Sequence, residues 1–186
     1  MTALTYEIAS DLVASSGTHI VIPNTYTSID VNAFYDLGPI ATLIEKVTFP
    51  DSITSIGDWA FKEHALTSID IPDSVTSIGR QAFYGNSLRS IRISSNIDSI
   101  GHAAFHSNQL TSVDIPAGIT SLSGFGNNKL RTVEIPESVS EIYGGFGRNA
   151  LSTIEIPYGV RSIDNAAFSY NLLTGIEIPS SVTAIG

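Results

Sequence analysis

Two histidines and two glycine-rich runs are where this 186-residue chain comes nearest to chemistry. His102 and His106 stand four apart, a spacing that sets two ligands on one face of a helix and would suit a metal ion. Ala104 and Phe105 lie between them, however, in the loop half of a repeated unit where no long helix is expected. Equivalent positions in other units hold Arg80 and Gly85, so the pair reads as variable surface residues. His19 and His64 stand alone. Gly124-Phe-Gly126 and Gly144-Gly-Phe-Gly147 suggest phosphate loops, but such a loop needs a helix N-terminus behind it and usually a lysine. Neither is evident. Serine and threonine are plentiful, yet none pairs visibly with a histidine and an acid. The expectation is a protein with no catalytic residue, no metal and no cofactor: not an enzyme.

What orders these residues is a phrase that recurs along the chain. Leu66-Thr-Ser-Ile69-Asp-Ile71-Pro72 returns from Leu110 to Pro116, Leu130 to Pro136, Leu151 to Pro157 and Leu173 to Pro179. Leu88-Arg-Ser-Ile91-Arg-Ile93 is the same phrase with Ser94 in place of proline, and Ile44 to Pro50 is an earlier copy. Successive leucines from Leu66 are 22, 22, 20, 21 and 22 residues apart. Self-similarity at such a period is the mark of a solenoid, which usually works through a broad surface.

Each position in the unit has a physical task. Ile-x-Ile alternates with period two, so both apolar side chains face one side of a short strand. The proline that follows cannot donate to a ladder and ends the pairing. Val-x-x-Ile-Gly returns two apolar side chains to the interior, with a glycine to permit a bend. Phe34, Phe61, Phe83, Phe105, Phe125, Phe146 and Phe168 share one position and are expected to stack as a buried spine. Asn86, Asn108, Asn128, Asn149 and Asn171 share another, where an inward amide can bond to loop backbone left unpaired between coils. The glycines at 124 to 126 and 144 to 147 fall in the two shortened coils and are expected to let tighter turns close.

The Leu-x-x-Ile-x-Ile start, the Ile-Pro after it and the Ile-Gly-x-x-Ala-Phe of the second half resemble the BspA-like, or Treponema-type, bacterial leucine-rich repeat. The resemblance covers residues 17 to 186. Proline and polar residues stand where commoner subclasses place Asn or Cys, which argues against a eukaryotic receptor-type array. It implies an α/β-type leucine-rich repeat solenoid, mostly strand and loop. That solenoid is a right-handed curved coil with one continuous parallel sheet of Ile-x-Ile segments on its concave face. The array should hold about seven to eight coils of ~22 residues, the last one truncated. Residues 1 to 16 lie outside the repeat, and alternating Leu4, Tyr6 and Ile8 predict a strand that covers the first coil. Extra residues between Phe34 and Ile44 predict a surface loop.

Composition excludes several classes of partner. The net charge is −9 with nine Lys and Arg and no basic run, so nucleic acid is not expected. No apolar stretch approaches the roughly 20 residues of a membrane helix, and the start carries no secretory signal. There is no cysteine, hence no disulfide.

Stacking at about 4.8 Å per coil would align the residues between the strand isoleucines into a row. That row is Thr48, Asp70, Arg92, Asp114, Glu134, Glu155 and Glu177, with Arg89 and Arg131 in a flanking row to offset its charge. Such a face could receive a polar or basic protein segment or a glycan, and it would equally serve as a solvated surface. Trp59 and Tyr84, on the loop side, are a weaker candidate site. The family resemblance implies a surface or secreted bacterial protein that mediates adhesion, binding host or matrix proteins. The alternative is a structural spacer within a larger protein. The free last coil further predicts a monomer, or a weak end-to-end dimer through the strand at Ile176 and Ile178.

Overall fold

The computed structural model describes residues 2–35, 37 and 43–186. It is a parallel-sheet solenoid of about eight turns with little helix. In chain order the elements are β1 (Ala3–Leu4), α1 (Tyr6–Ser16), β2 (His19–Val21), β3 (Ser28–Ile29), β4 (Lys46–Thr48), β5 (Ser55–Ile56) and β6 (Ser68–Asp70). They continue with β7 (Ser77–Ile78), β8 (Ser90–Arg92), β9 (Ser99–Ile100), β10 (Ser121–Leu122), β11 (Glu141–Ile142), β12 (Ser162–Ile163) and β13 (Ala184–Ile185). Most of the loop expected after Phe34 falls at residues 36 and 38–42, outside the described residues.

Two ladders run along the stack, and the longer one is not the one expected. The Ser-Ile pairs of the second half-unit form a five-stranded parallel sheet, β1-β3-β5-β7-β9, and a four-stranded one, β10-β11-β12-β13. The Ile-x-Ile segments form only the pairs β2–β4 and β6–β8, and none is a strand beyond Arg92. The continuous Ile-x-Ile sheet is therefore corrected to two short pairs. Across β6–β8 the pairing sets Asp70 opposite Arg92, and beyond Arg92 the next four members of the row are all acidic.

The core is held by the expected spine. Phe34, Phe61, Phe83, Phe105, Phe125 and Phe146 are fully buried. Neighbouring rings from Phe61 to Phe168 lie 5.4–6.0 Å apart and within 11° of parallel. Phe49 adds an edge-on contact to Phe61 at 5.7 Å.

The asparagines stitch the coils together. Asn108 donates from Nδ2 to the carbonyls of Phe83 and Phe105, and its Oδ1 accepts from the Leu88 N–H. Asn86, Asn128, Asn149 and Asn171 repeat this pattern in their own coils. One side chain thus satisfies backbone groups of two coils that stacking would bury unpaired.

His64 belongs to the same ladder, which corrects its reading as a solitary residue. Its Nε2 lies 2.9 Å from the Phe34 carbonyl, so it carries the proton, and Nδ1 accepts from the Ile44 N–H at 3.4 Å. A neutral imidazole here does the work of a carboxamide. Burial pushes the His64 pKa below its ordinary value, with the bond to the Phe34 carbonyl opposing. An unfolded imidazole titrates near about 6.5, so below that pH the unfolded chain takes up a proton that the native ring resists. The contribution of His64 to stability is complete above that pH and is lost as the pH falls towards the depressed native value. Urea midpoints at pH 7.5 and 5.0 should therefore drop more for the parent than for His64→Asn. An equal drop would show that His64 does not carry the dependence.

Two further expectations are corrected at the level of backbone. Of the strand expected through Leu4, Tyr6 and Ile8 only Ala3–Leu4 forms, as β1 beside β3, and Tyr6 and Ile8 lie in the helix α1. Thr5 is extended and starts it, Gly17 at φ 67° ends it, and Ala9 and Val13 are buried with Ile8 and Leu12 packed beside them. Those four apolar residues follow helical spacing, which outweighs the short alternation before them. The glycine of Ile-Gly serves close approach, not a bend: a Cβ on Gly57 would lie 2.7 Å from the carbonyl carbon of Asp30 in the preceding coil. Gly124, at φ 111°, does close a shortened coil in a conformation that favours glycine.

At the far end, residues 176–178 form no strand. The edge is β13, paired to β12 on one side, beside Ile176, Ile178 and Ile185 at 39–65% exposure. Amide hydrogen exchange should be fastest over residues 173 to 186. Uniform protection along the chain of a strict monomer would contradict this.

Candidate functional site

The row on the Ile-x-Ile face is built by the strands and by the turns that follow them. Asp70, Arg92, Asp114, Glu134, Glu155 and Glu177 are all exposed, as are Arg89 and Arg131. Beneath them Ile69, Val113, Ile135 and Ile156 are buried, so Asp70, Asp114, Glu134 and Glu155 each adjoin a residue anchored in the core, whereas Glu177 stands between the exposed Ile176 and Ile178.

The row divides electrostatically into two parts. In the first, the Arg92 guanidinium bonds to Asp70 Oδ1 at 3.2 Å, to both Asp73 oxygens at 2.9 Å and to the Ile71 carbonyl at 2.9 Å. These bonds, those to Asp73 first, hold Arg92 above its ordinary pKa. Asp73 was not among the sequence candidates; it sits directly after Pro72, and the turn there brings it under the next coil's arginine. In the second part, Asp114, Glu134, Glu155 and Glu177 make no ion pair among the described residues. Arg89 and Arg131 form none either, so only Arg92 provides the neutralisation expected of all three.

Shallow grooves lie between neighbouring coils on this face. One of 410 Å³ runs between Asp114 and Glu134 and reaches Glu137. Another of 460 Å³ runs between Glu134 and Glu155, also against Glu137. Their floors are the half-buried apolar residues Ile115 and Val133. An extended polar chain laid across the coils would meet carboxylates at each step and apolar patches between them.

The loop-side candidates are drawn into a network of their own. Trp59 donates from Nε1 to Gln81 Oε1 at 3.0 Å, with the Arg80 guanidinium 5.9 Å from its ring. Tyr84 lies between the Lys62 ammonium at 5.6 Å and the His106 ring, stacked at 5.4 Å and 6°. His106 is thus the counterpart of Tyr84 one coil on, not of Gly85, which corrects the alignment of the histidine pair. No helix follows either glycine-rich run.

Comparison with known proteins bears on this geometry. A family model for the BspA type leucine rich repeat region matches in six copies, over residues 13–124, 40–146 and 124–186. A leucine-rich repeat protein from Bacteroides ovatus ATCC 8483 superposes with a TM-score of 0.81 at 28% identity, over 92% of this chain and 48% of that one. A leucine-rich repeat protein from Eubacterium ventriosum ATCC 27560 gives a TM-score of 0.52 at 21% identity, over 92% of this chain and 56% of that one. YopM from Yersinia enterocolitica WA-314 gives 0.65 at 17%, over 90% and 34%. The last two show likeness of fold alone. The chain spans about half the length of the Bacteroides ovatus protein. No curated protein matches it. Among the described residues no helix is long and apolar enough to cross a membrane.

Proposed function

The chain belongs to the BspA-type leucine-rich repeat family, and from that premise we propose that it is a non-enzymatic binding module of a bacterial surface or secreted protein, acting in adhesion. The site is the Ile-x-Ile face, with Asp114, Glu134, Glu155 and Glu177 at its centre and Arg89, Arg92, Asp70 and Arg131 around it. The partner is a macromolecule that presents cationic and hydrogen-bonding groups, such as a basic segment of a host or matrix protein or a polar glycan.

The observation that carries this reading is the run of four exposed carboxylates with no cationic partner among the described residues. The phenylalanine spine and asparagine ladder hold the coils of Asp114, Glu134 and Glu155 in fixed register. Side chains fixed in advance lose less entropy on binding than those of a mobile loop. The charge is also open to complement, because the acidic part of the row is not consumed internally as the Asp70–Arg92–Asp73 part is.

Reversing three charges together tests the site: Asp114→Lys, Glu134→Lys and Glu155→Lys in the full-length parent. Adhesion or partner capture should fall at least tenfold, and capture by the parent should weaken with salt, since exposed charges are screened beyond about 8 Å at physiological ionic strength. Intact capture by the triple variant, with loss on Trp59→Ala or Tyr84→Ala, would move the site to the loop side. Capture that survives both sets of changes would favour a spacer role.

A further inference from the structure

A seam crosses the solenoid between β9 and β10. The longer ladder breaks there into its five-stranded and four-stranded parts. On the loop side, the Trp59 N–H bonds to the Arg80 carbonyl and the Gln81 N–H to the His102 carbonyl. The next member of that row, Ala103, is 6% exposed, and its N–H has no hydrogen-bond partner among the described residues. The following coil is one of the two shortened ones and presents glycine, so a notch of 240 Å³ stays open between them.

The lining of that notch is one-sided in its chemistry. Gln81, Tyr84, His102 and His106 surround it, with Gly124 and Gly144 as its far wall, and among the described residues no carboxylate lines it. Gln81 Oε1 is already taken by Trp59 Nε1, which leaves the amide NH2 to donate. His106 Nδ1 is engaged by Ser107 Oγ at 2.8 Å, leaving Nε2 free. Its ring is held by the Tyr84 stack on one face. Gly126 makes room for the ring, because a Cβ there would lie 2.8 Å from its Cδ2. Donors therefore converge on a space bordered by an unsatisfied buried N–H, in a chain whose net charge is −9.

We propose that this notch is a binding site for a carboxylate-bearing small molecule, an acidic sugar or a free organic acid, received by Gln81, His102, His106 and the Ala103 N–H. The carboxylate supplies the acceptor that Ala103 lacks and meets the His106 ring, whose protonated form attracts it. The charged and titratable groups acting on His106 are His102 and Arg148, with Tyr84 stacked on it. Burial first, then those two like charges, hold His106 below its ordinary pKa, so binding strengthens as the pH falls and the ring takes up its proton.

The test is an NMR titration of the histidine ring resonances with glucuronate, acetate and inorganic phosphate at pH 7.5 and 5.5. Glucuronate should shift His102 and His106 saturably, about tenfold more tightly at the lower pH, and His106→Phe and Gln81→Ala should each abolish the shift. His106→Phe keeps a ring for Tyr84 to stack on, and Gln81→Ala gives an independent readout should that variant fail to fold. Glucuronate binding more tightly than acetate identifies a sugar acid; equal binding identifies the carboxylate alone. No saturable shift at pH 5.5, binding of phosphate only, or full binding by His106→Phe would overturn the proposal.

Discussion

Phe105→Ala should lower the unfolding free energy by about 3–5 kcal/mol. The ring is fully buried between Phe83 at 5.4 Å and Phe125 at 5.5 Å, with both neighbours near parallel. Truncation would open a cavity in the middle of a stack whose members are fixed by their own coils, so collapse around it is limited. Natural domains are stable by about 5–15 kcal/mol in total, and a loss of this size removes a large share. Phe168→Ala is the internal control, because that ring is partly exposed and has a neighbour on one side only; its loss should be clearly smaller. Urea denaturation followed by far-ultraviolet circular dichroism reads both. Unchanged midpoints for Phe105→Ala would mean that the spine does not carry the core.

Asn108→Ala should be nearly as damaging, by about 2–4 kcal/mol. Leu88 N–H loses its partner and is left buried without one. The Phe83 and Phe105 carbonyls each lose a donor but keep another, from Asn86 and Asn128. Asn108→Asp separates shape from chemistry: it has the same outline, but its carboxylate cannot donate and would sit against two carbonyl oxygens. That variant should be at least as destabilised at neutral pH. Exchange at the Leu88 amide should quicken in Asn108→Ala. A neutral Asn108→Asp would refute the ladder's role in stability.

These two features were legible from sequence for the same reason. A phenylalanine or an asparagine that returns once per coil can only line up with its equivalents once the coils stack. Features that depend on neighbours outside the phrase were not legible. Ile8, Ala9, Leu12 and Val13 carry the helical spacing of α1, but Leu4, Tyr6 and Ile8 overlap them with a strand-like alternation. His64 hid in the asparagine ladder because a neutral imidazole offers one donor and one acceptor, the same pair the carboxamide uses there. The Ile-x-Ile pattern marked the buried face of the coils before the last but not its pairing, which forms only at β2–β4 and β6–β8. Asp73 could be placed against Arg92 only once the turn after Pro72 was known. The candidate row itself was readable throughout, since its exposure follows directly from period two.

Hydrogen exchange of the full-length parent, free and bound to the macromolecule it captures, tests the assignment of function most directly. Amides at 112 to 115, 132 to 135 and 153 to 156 carry the unpaired carboxylates and lie outside any strand, so they exchange readily until something covers them. Binding to the Ile-x-Ile face should slow these three segments together and leave residues 57 to 64 and 80 to 86 unchanged. Protection confined to those loop-side segments would contradict the account.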